Sequence, residues 1–330
     1  MPEMAYEAIM VTGASGFVGR YLLRALSQAF PKARLHATSR HVHEDMTDAK
    51  WHVLDITDTD ATRFLLGLVR PTALINLAAY ASVAGSFAHP DACWEVNLQG
   101  TLNLLQAAAA QKLPPVFLQV GSGDMYGASF KHSAHVNELI ALHPLNPYSA
   151  SKAAADLAAA QFAATSKLHV IRARPFNHSG AGQSKGYVLT DFASQIANIE
   201  IGLQPPVIRV GDLNAKRDFL PVTEVVHAYV ELLRHAGKVP SGTAVNIASG
   251  KPIPIKELLN HLITAAQCKI EVEVDPARLR PSEIPCASGD PSLLERLIGW
   301  KPSCDHYELA ASVLEDWRLR VKKDRSGSSQ

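Results

Sequence analysis

Residues 11–19 read Val11-Thr12-Gly13-Ala14-Ser15-Gly16-Phe17-Val18-Gly19. The apolar run 9–12 has strand character, and Leu22, Leu23 and Leu26 recur afterwards at helical spacing. Strand, glycine-rich turn and helix in that order open a βαβ unit. With no side chains at Gly13, Gly16 and Gly19, the chain can turn tightly and bring backbone N–H groups and a helix dipole toward a pyrophosphate. Ser15, Phe17 and Val18 complete the expected cradle. The first gap between glycines is one residue wider than in the common G-x-G-x-x-G dinucleotide fingerprint. Strand and helix context therefore carries the reading.

Outward from this turn the alternation continues. Residues 35–38, 53–54, 73–77 and 116–120 read as strands, and the Ala-rich stretches 101–111 and 153–164 as helices. Such alternation predicts an α/β fold, a Rossmann-type doubly wound parallel sheet. After 169–174 the pattern loosens into a polar, Gly-containing loop at 177–186, and later helices are interrupted by Pro205-Pro206, Pro221, Pro252 and Pro281. The expected organisation is a dinucleotide-binding unit over 1–175, a smaller carboxyl-terminal substrate lobe over 176–325, and a frayed tail at 326–330. A return to the main sheet is expected at Val245-Asn246-Ile247. The small side chains of the two Ala-rich helices suit close packing against a second copy, so a homodimer is expected.

At 330 residues the chain can hold one large α/β unit with a smaller lobe. Its 32 Lys+Arg against 31 Asp+Glu leave no global attraction to nucleic acid or to an anionic membrane. Cys93, Cys268, Cys286 and Cys304 show neither close pairing nor metal-ligand spacing, so four reduced thiols and no metal are expected. Residues 9–11 are too short an apolar run to span a bilayer, and no secretory leader pattern precedes them. A soluble, cytoplasmic protein is the expectation.

The exit of the second strand, Ala37-Thr38-Ser39-Arg40, bears on cofactor choice. Selection of NAD usually places a carboxylate here for the ribose hydroxyls. Ser39 can instead donate a hydrogen bond and Arg40 can pair with a 2′-phosphate, which favours NADP(H) while leaving NAD(H) open. An ordinary surface cation is the other reading of Arg40. Asp55-Ile56 can receive the adenine edge; Leu77, Ala78 and Ala79 lie beside the cofactor, the alanines leaving room, and Tyr80 lines or rims the pocket.

Tyr148 and Lys152 stand one helical turn apart, and Ser122 follows the strand 116–120. A phenol is a weak acid, and a lysine on the same helical face can lower its pKa and hold a nicotinamide ribose. Ser122 can donate to a carbonyl oxygen as hydride arrives. These three form the expected catalytic set. The imidazole of His178 titrates near neutrality, but Tyr148 already supplies the proton, so His178 is left out of the chemical step.

The constellation resembles the extended short-chain dehydrogenase/reductase family. The family's TGxxGFxG opening, central serine and YxxxK motif match VTGASGFVG, Ser122 and Tyr148-Ser149-Ala150-Ser151-Lys152. The resemblance covers almost the whole chain. It narrows toward nucleotide-sugar members, in particular reductases of GDP-linked 4-keto-6-deoxy-D-mannose, on VGSGDMYG, HPLNPYSASKAA, RARPFNHSGAGQ, VGDLNAKRDFLPV, RLRPSEIP and GDPSLLERLIGWKP. It implies that Asn177 holds the nucleotide diphosphate, that Arg217 and Arg280 contact its oxygens, and that Glu283 accepts from a ribose hydroxyl.

At position 124 related sugar dehydratases carry a glutamate that removes the C5 proton, and the GDP-fucose-forming epimerase/reductase carries a cysteine. Here Asp124, one C–C bond shorter than glutamate, follows Gly123. Both are expected at the substrate, Asp124 as a structural acceptor or a contact to a sugar hydroxyl. The implied activity is NADPH-dependent reduction of the C4 ketone of GDP-4-dehydro-6-deoxy-D-mannose to GDP-D-rhamnose. Formation of GDP-6-deoxy-D-talose, a GDP-mannose 4,6-dehydratase or another nucleotide-sugar dehydratase or epimerase, and a non-enzymatic dinucleotide sensor stay open beside it.

Overall fold

Every residue of Ala8–Thr12 (β1) is buried, as a parallel strand covered by helices on both faces must be. The structure, a computed structural model, describes residues 4–41, 49–278 and 284–327. From β1 the chain runs through Phe17–Ala29 (α1), Arg34–Ser39 (β2), Lys50–Val53 (β3), Thr59–Val69 (α2), Ala73–Asn76 (β4), Val83–Ala88 (α3) and Pro90–Trp94 (α4). A π-helical turn, Glu95–Gln99, leads into Gly100–Ala109 (α5), then Val116–Val120 (β5), His135–Val136 (β6), Pro147–Thr165 (α6) and His169–Pro175 (β7). Next come Asn177–Ser179 (β8), Val188–Glu200 (α7), Val207–Val210 (β9), Lys216–Pro221 (β10), Val222–Arg234 (α8) and Ala244–Ile247 (β11). Pro252–Pro254 (β12), Ile255–Ala265 (α9), Glu271–Val274 (β13), Cys286–Gly289 (β14), Ser292–Ile298 (α10) and His306–Gly327 (α11) complete the described chain.

Seven parallel strands form the main sheet in the order β11-β7-β5-β4-β1-β2-β3. The order reverses at β1, which pairs with β2 on one side and β4 on the other. In open α/β sheets a ligand binds beyond the carboxyl ends of the strands at this reversal. One face is packed by Leu22 and Leu23 of α1 with Val225 and Leu232 of α8. The other is packed by Leu65 of α2, Leu104 of α5 and Ala159 of α6.

A second sheet, ordered β12-β10-β14-β6 with β8 beside β10, stands next to the first. Phe192 of α7, Leu258 of α9 and Val313 of α11 supply a separate apolar core, beside the β9–β13 pair. The buried carboxylate of Asp218 in β10 ties this region together. It accepts from Ser249 N (2.7 Å), Ser249 Oγ (2.6 Å), Gly250 N (3.0 Å), Ser288 Oγ (3.0 Å) and Gly289 N (3.2 Å). Its neighbour Arg217 is thereby held on a fixed strand facing the site.

Several boundaries differ from the expected ones. The loop expected at 177–186 begins as β8, because β10 offers its backbone a partner. The strand expected at 53–54 is Lys50–Val53, and α1 starts at Phe17, directly after the glycine turn. Helix α6 begins well before its Ala-rich part. Asn146 accepts from Ser149 N (2.8 Å) while its own N–H donates to Ser149 Oγ (3.3 Å), and Pro147 occupies the first turn. Helix α11 runs to Gly327, past the expected start of the tail.

Candidate active site

At the carboxyl ends of β1, β4 and β5 opens a cleft of about 800 Å³. Gly13, Ser15, Gly16, Phe17, Val18 and Gly19 form one wall. Gly13 has φ +64°, and a Cβ there would sit 2.7 Å from Ala78 N, so only glycine lets the turn close on the fourth strand. A Cβ at Gly19 would lie 2.3 Å from Ala14 O, where α1 packs on the turn that feeds it. No side chain caps the amino end of α1 and no acid lies in its first turn, so its amides remain for an anion. These residues fit a dinucleotide diphosphate.

Ser39, Arg40, Asp55, Ile56, Leu77, Ala78 and Ala79 continue the wall, and Tyr80 follows them. Arg40 is exposed at the rim. Ser39 departs from the expected role. Its hydroxyl donates to His41 O and accepts from His41 N (3.2 Å), so it closes a local turn. Asp55 spends one oxygen on Thr57, accepting from its N–H (2.9 Å) and its hydroxyl (2.8 Å), with the other carboxylate oxygen left to the cleft.

At the far end the cleft is lined by Ser122, Gly123, Asp124, Tyr148, Lys152, Asn177 and Arg217. Arg280 and Glu283 lie outside the described residues. The capping box of α6 places Tyr148 in its first turn, and Ser122 caps the turn 123–126 by accepting from Asp124 N (3.2 Å). Ser122 also stands at the phenol of Tyr148, where its hydroxyl favours the anion. Burial, then the Asp124 carboxylate, nonetheless push the phenol well above its ordinary pKa.

The expected lowering of Tyr148 by Lys152 needs correction. The ammonium of Lys152 donates to the Val120 carbonyl at the end of β5, so its charge is aimed at the strand. Burial pulls Lys152 down to about 8, while Asp156 and Cys93 hold it up. Asp124 faces the cleft with no hydrogen-bond partner for its carboxylate among the described residues. Among the described residues it therefore serves no structural acceptor role. The surrounding walls raise its pKa and Arg217 lowers it. Arg217 is half-buried, which lowers its pKa, and its Nη1 donates to Lys216 O at 2.8 Å. Asn177 is exposed on the cleft. His178 stacks on Phe17 at 6.4 Å and bonds Phe176 O at 2.9 Å, and burial lowers its pKa, so it is neutral.

The family model described as GDP-mannose 4,6 dehydratase matches residues 10–313. The chain belongs to this family. Among its relatives is the GDP-6-deoxy-D-mannose reductase of Pseudomonas aeruginosa, 36% identical over 96% of this chain and 99% of that protein. GDP-mannose 4,6 dehydratase 1 of Arabidopsis thaliana is 27% identical over 96% of this chain and 91% of its own length. The solved structure of RMD from Pseudomonas aeruginosa complexed with NADPH superposes with a TM-score of 0.81 at 34% identity, covering 95% of this chain and 99% of that one. A putative epimerase from Burkholderia cenocepacia gives 0.84 at 30% identity, covering 95% and 98%.

In this member of the family, residues that sequence reasoning passed over tie together the elements that carry the candidate catalytic residues. Asn97 lies in the π-helical turn; its Oδ1 accepts from Tyr80 N (2.7 Å) and its Nδ2 donates to Ser151 Oγ (2.9 Å). Ser151 in turn donates to Tyr148 O (2.9 Å), so the loop at Tyr80 and the catalytic helix are tied together. Asn97 and Thr101 stand at i and i+4 and are both buried polar residues, a pairing that spacing alone did not single out from Gln99, Asn103 and Gln106 nearby. Tyr187 and Tyr229 also line the cleft. No spacing links them to Tyr148, and sequence alone offered no sign of either.

Proposed function

We propose that the chain is an NADPH-dependent ketoreductase that converts GDP-4-dehydro-6-deoxy-D-mannose to GDP-D-rhamnose. The observation that carries this reading is the placement of Ser122, Tyr148 and Lys152 together at the end of a cleft that the glycine turn also lines. The similarity to the reductase of Pseudomonas aeruginosa and to RMD with NADPH supports the substrate and the cofactor. Bound NADPH supplies the hydride. Gly13, Gly16 and the amino end of α1 would hold its diphosphate, and Arg40 its 2′-phosphate.

Ser122 donates to the C4 carbonyl oxygen and stabilises the negative charge that develops there. Tyr148, kept protonated by its raised pKa, gives that oxygen its proton. A phenol is a stronger acid than the alcohol it forms, so the transfer runs downhill even from a buried tyrosine. Lys152, a cation below about pH 8, keeps positive charge beside the reacting end. Asn177 and Arg217 are suited to the diphosphate of the substrate, and the open carboxylate of Asp124 to a sugar hydroxyl. A homodimer through α5 and α6, where Leu157 is 61% exposed, and a cytoplasmic location belong to the same proposal.

The test is NADPH oxidation with purified 4-keto sugar, followed by NMR of the product. One NADPH consumed per GDP-D-rhamnose formed is the expected result. The GDP-6-deoxy-D-talose epimer would overturn the stereochemistry, and dehydration of GDP-mannose without net NADPH consumption would overturn the reductase. That second reading rests on Asp124, a carboxylate close enough to the Tyr148 phenol to raise its pKa and with no donor to it among the described residues.

A further inference from the structure

Tyr229 is 1% exposed and belongs to the apolar core between α8, α1 and the sheet, which also holds Val120, Ala173 and Val226. Its hydroxyl has no hydrogen-bond partner among the described residues. A phenol O–H buried without a partner costs roughly the free energy of a lost hydrogen bond, and buried tyrosines regularly find one. This hydroxyl is nevertheless not among the sealed, unsatisfied polar atoms, and Tyr229 lines the main cleft. The ring is thus fixed in the core while its polar end opens into the space between the glycine turn and Tyr148. Its donor is aimed at whatever fills that space.

We infer that Tyr229 is a cofactor-binding residue whose hydroxyl donates to an oxygen of the nicotinamide half of the dinucleotide. The placement argues for that half. Tyr229 shares one apolar core with Val120, on the strand β5 that α8 packs against and that leads into Ser122, whereas the adenine end of the cleft lies at Ser39, Arg40 and Asp55 beyond β2 and β3. The titratable group that perturbs Tyr229 is Tyr148, which also sets it toward the reacting end. Nicotinamide, its ribose and the diphosphate all offer oxygen acceptors, and a neutral donor suits each. The inference rests on the proposed cofactor and adds a contact made from the floor of the cleft, remote in sequence from the glycine turn and from the catalytic helix.

Tyr229→Phe removes the donor and leaves the packed ring. Intact wild-type and variant protein are titrated by calorimetry with NADPH and, separately, with adenosine 2′,5′-bisphosphate, which carries only the adenine half. The expected result is NADPH affinity weakened about three- to tenfold, the net worth of one hydrogen bond, with the bisphosphate unchanged. Thermal unfolding should stay within about 2 °C of wild type, because the hydroxyl has no hydrogen-bond partner among the described residues. Equal NADPH affinity, equal loss for both ligands, or a large thermal shift would each overturn the inference. Failure of the wild-type protein to bind NADPH would instead overturn the functional proposal itself, and this inference with it.

Discussion

Neutralising Asp156 should weaken the fold and move the pH profile together. Asp156 lies one turn beyond Lys152 on α6 with a fully buried side chain. Arg172 Nη1 approaches it at 2.6 Å and Arg174 Nη2 at 2.8 Å, both from β7. Arg174 also donates to the Tyr126 hydroxyl (3.0 Å), which donates to Asn246 Oδ1 (2.8 Å). Breaking a buried ion pair costs about 3–5 kcal/mol, because the charge left behind is desolvated and unpaired. Two guanidinium groups depend on this carboxylate, so Asp156→Ala should fall near the upper end of that range. Asp156→Asn keeps an acceptor oxygen and should cost about 3 kcal/mol, roughly 4–5 °C in Tm for a chain of this size.

The same change acts on Lys152. Burial already brings that ammonium down to about 8, and Asp156 is the strongest influence holding it up. Without the carboxylate the lysine loses its proton at a lower pH. Activity that depends on the cation is full below the folded pKa and falls as pH rises through it, so the alkaline limb of kcat/KM should move toward neutrality in Asp156→Asn. Urea unfolding and a pH series of kcat/KM with NADPH and the 4-keto sugar measure both effects. A variant within about 1 kcal/mol of wild-type stability would show that the buried pair is worth little. A variant destabilised as expected but with an unmoved alkaline limb would refute the electrostatic link from Asp156 to Lys152.

Three further outcomes are expected. Tyr148→Phe should lower kcat by about 10²–10⁴-fold while leaving NADPH affinity within about twofold in a fluorescence titration, since it removes the proton and little packing. Arg40→Ala should raise the KM for NADPH and leave that for NADH nearly unchanged, and equal changes in both would mean that this guanidinium does not meet the 2′-phosphate. His36 and His52 stack with ring nitrogens 2.9 Å apart, and burial, then His52, Arg34 and Lys50, hold His36 down to about 4. With its folded pKa below the ordinary 6.5, this group contributes stability that is present above that value and lost as pH falls toward 4. After allowance for its partial exposure the loss is about 1–2 kcal/mol. His36→Gln should flatten the urea midpoint across that window.

Periodicity and glycine placement made the main sheet legible, because β1 and α1 are consecutive and their apolar residues repeat at the spacing their elements require. The second sheet was not legible in the same way. Its strands are short, come from distant parts of the chain, and are joined through Asp218, whose five donors lie at Ser249, Gly250, Ser288 and Gly289. No local pattern marks a carboxylate that is satisfied from thirty to seventy residues away, so nothing distinguished Asp218 from an exposed acid.

The site divides along the same line. Helical spacing put Tyr148 and Lys152 on one face of α6, and the structure gathers both at the cleft with Ser122. Spacing fixes a shared face but cannot choose a hydrogen-bond partner. That choice fell to β5, whose last carbonyl, on Val120, takes the Lys152 ammonium as a donor. The charge next to the phenol is accordingly Asp124, from a turn that approaches α6 only in three dimensions. The serine, tyrosine and lysine could be named from the sequence, while the sign of the field at the phenol depended on contacts between segments. Burial, with that field added to it, keeps Tyr148 protonated, the state in which it can give a proton to the oxygen of the reduced carbonyl.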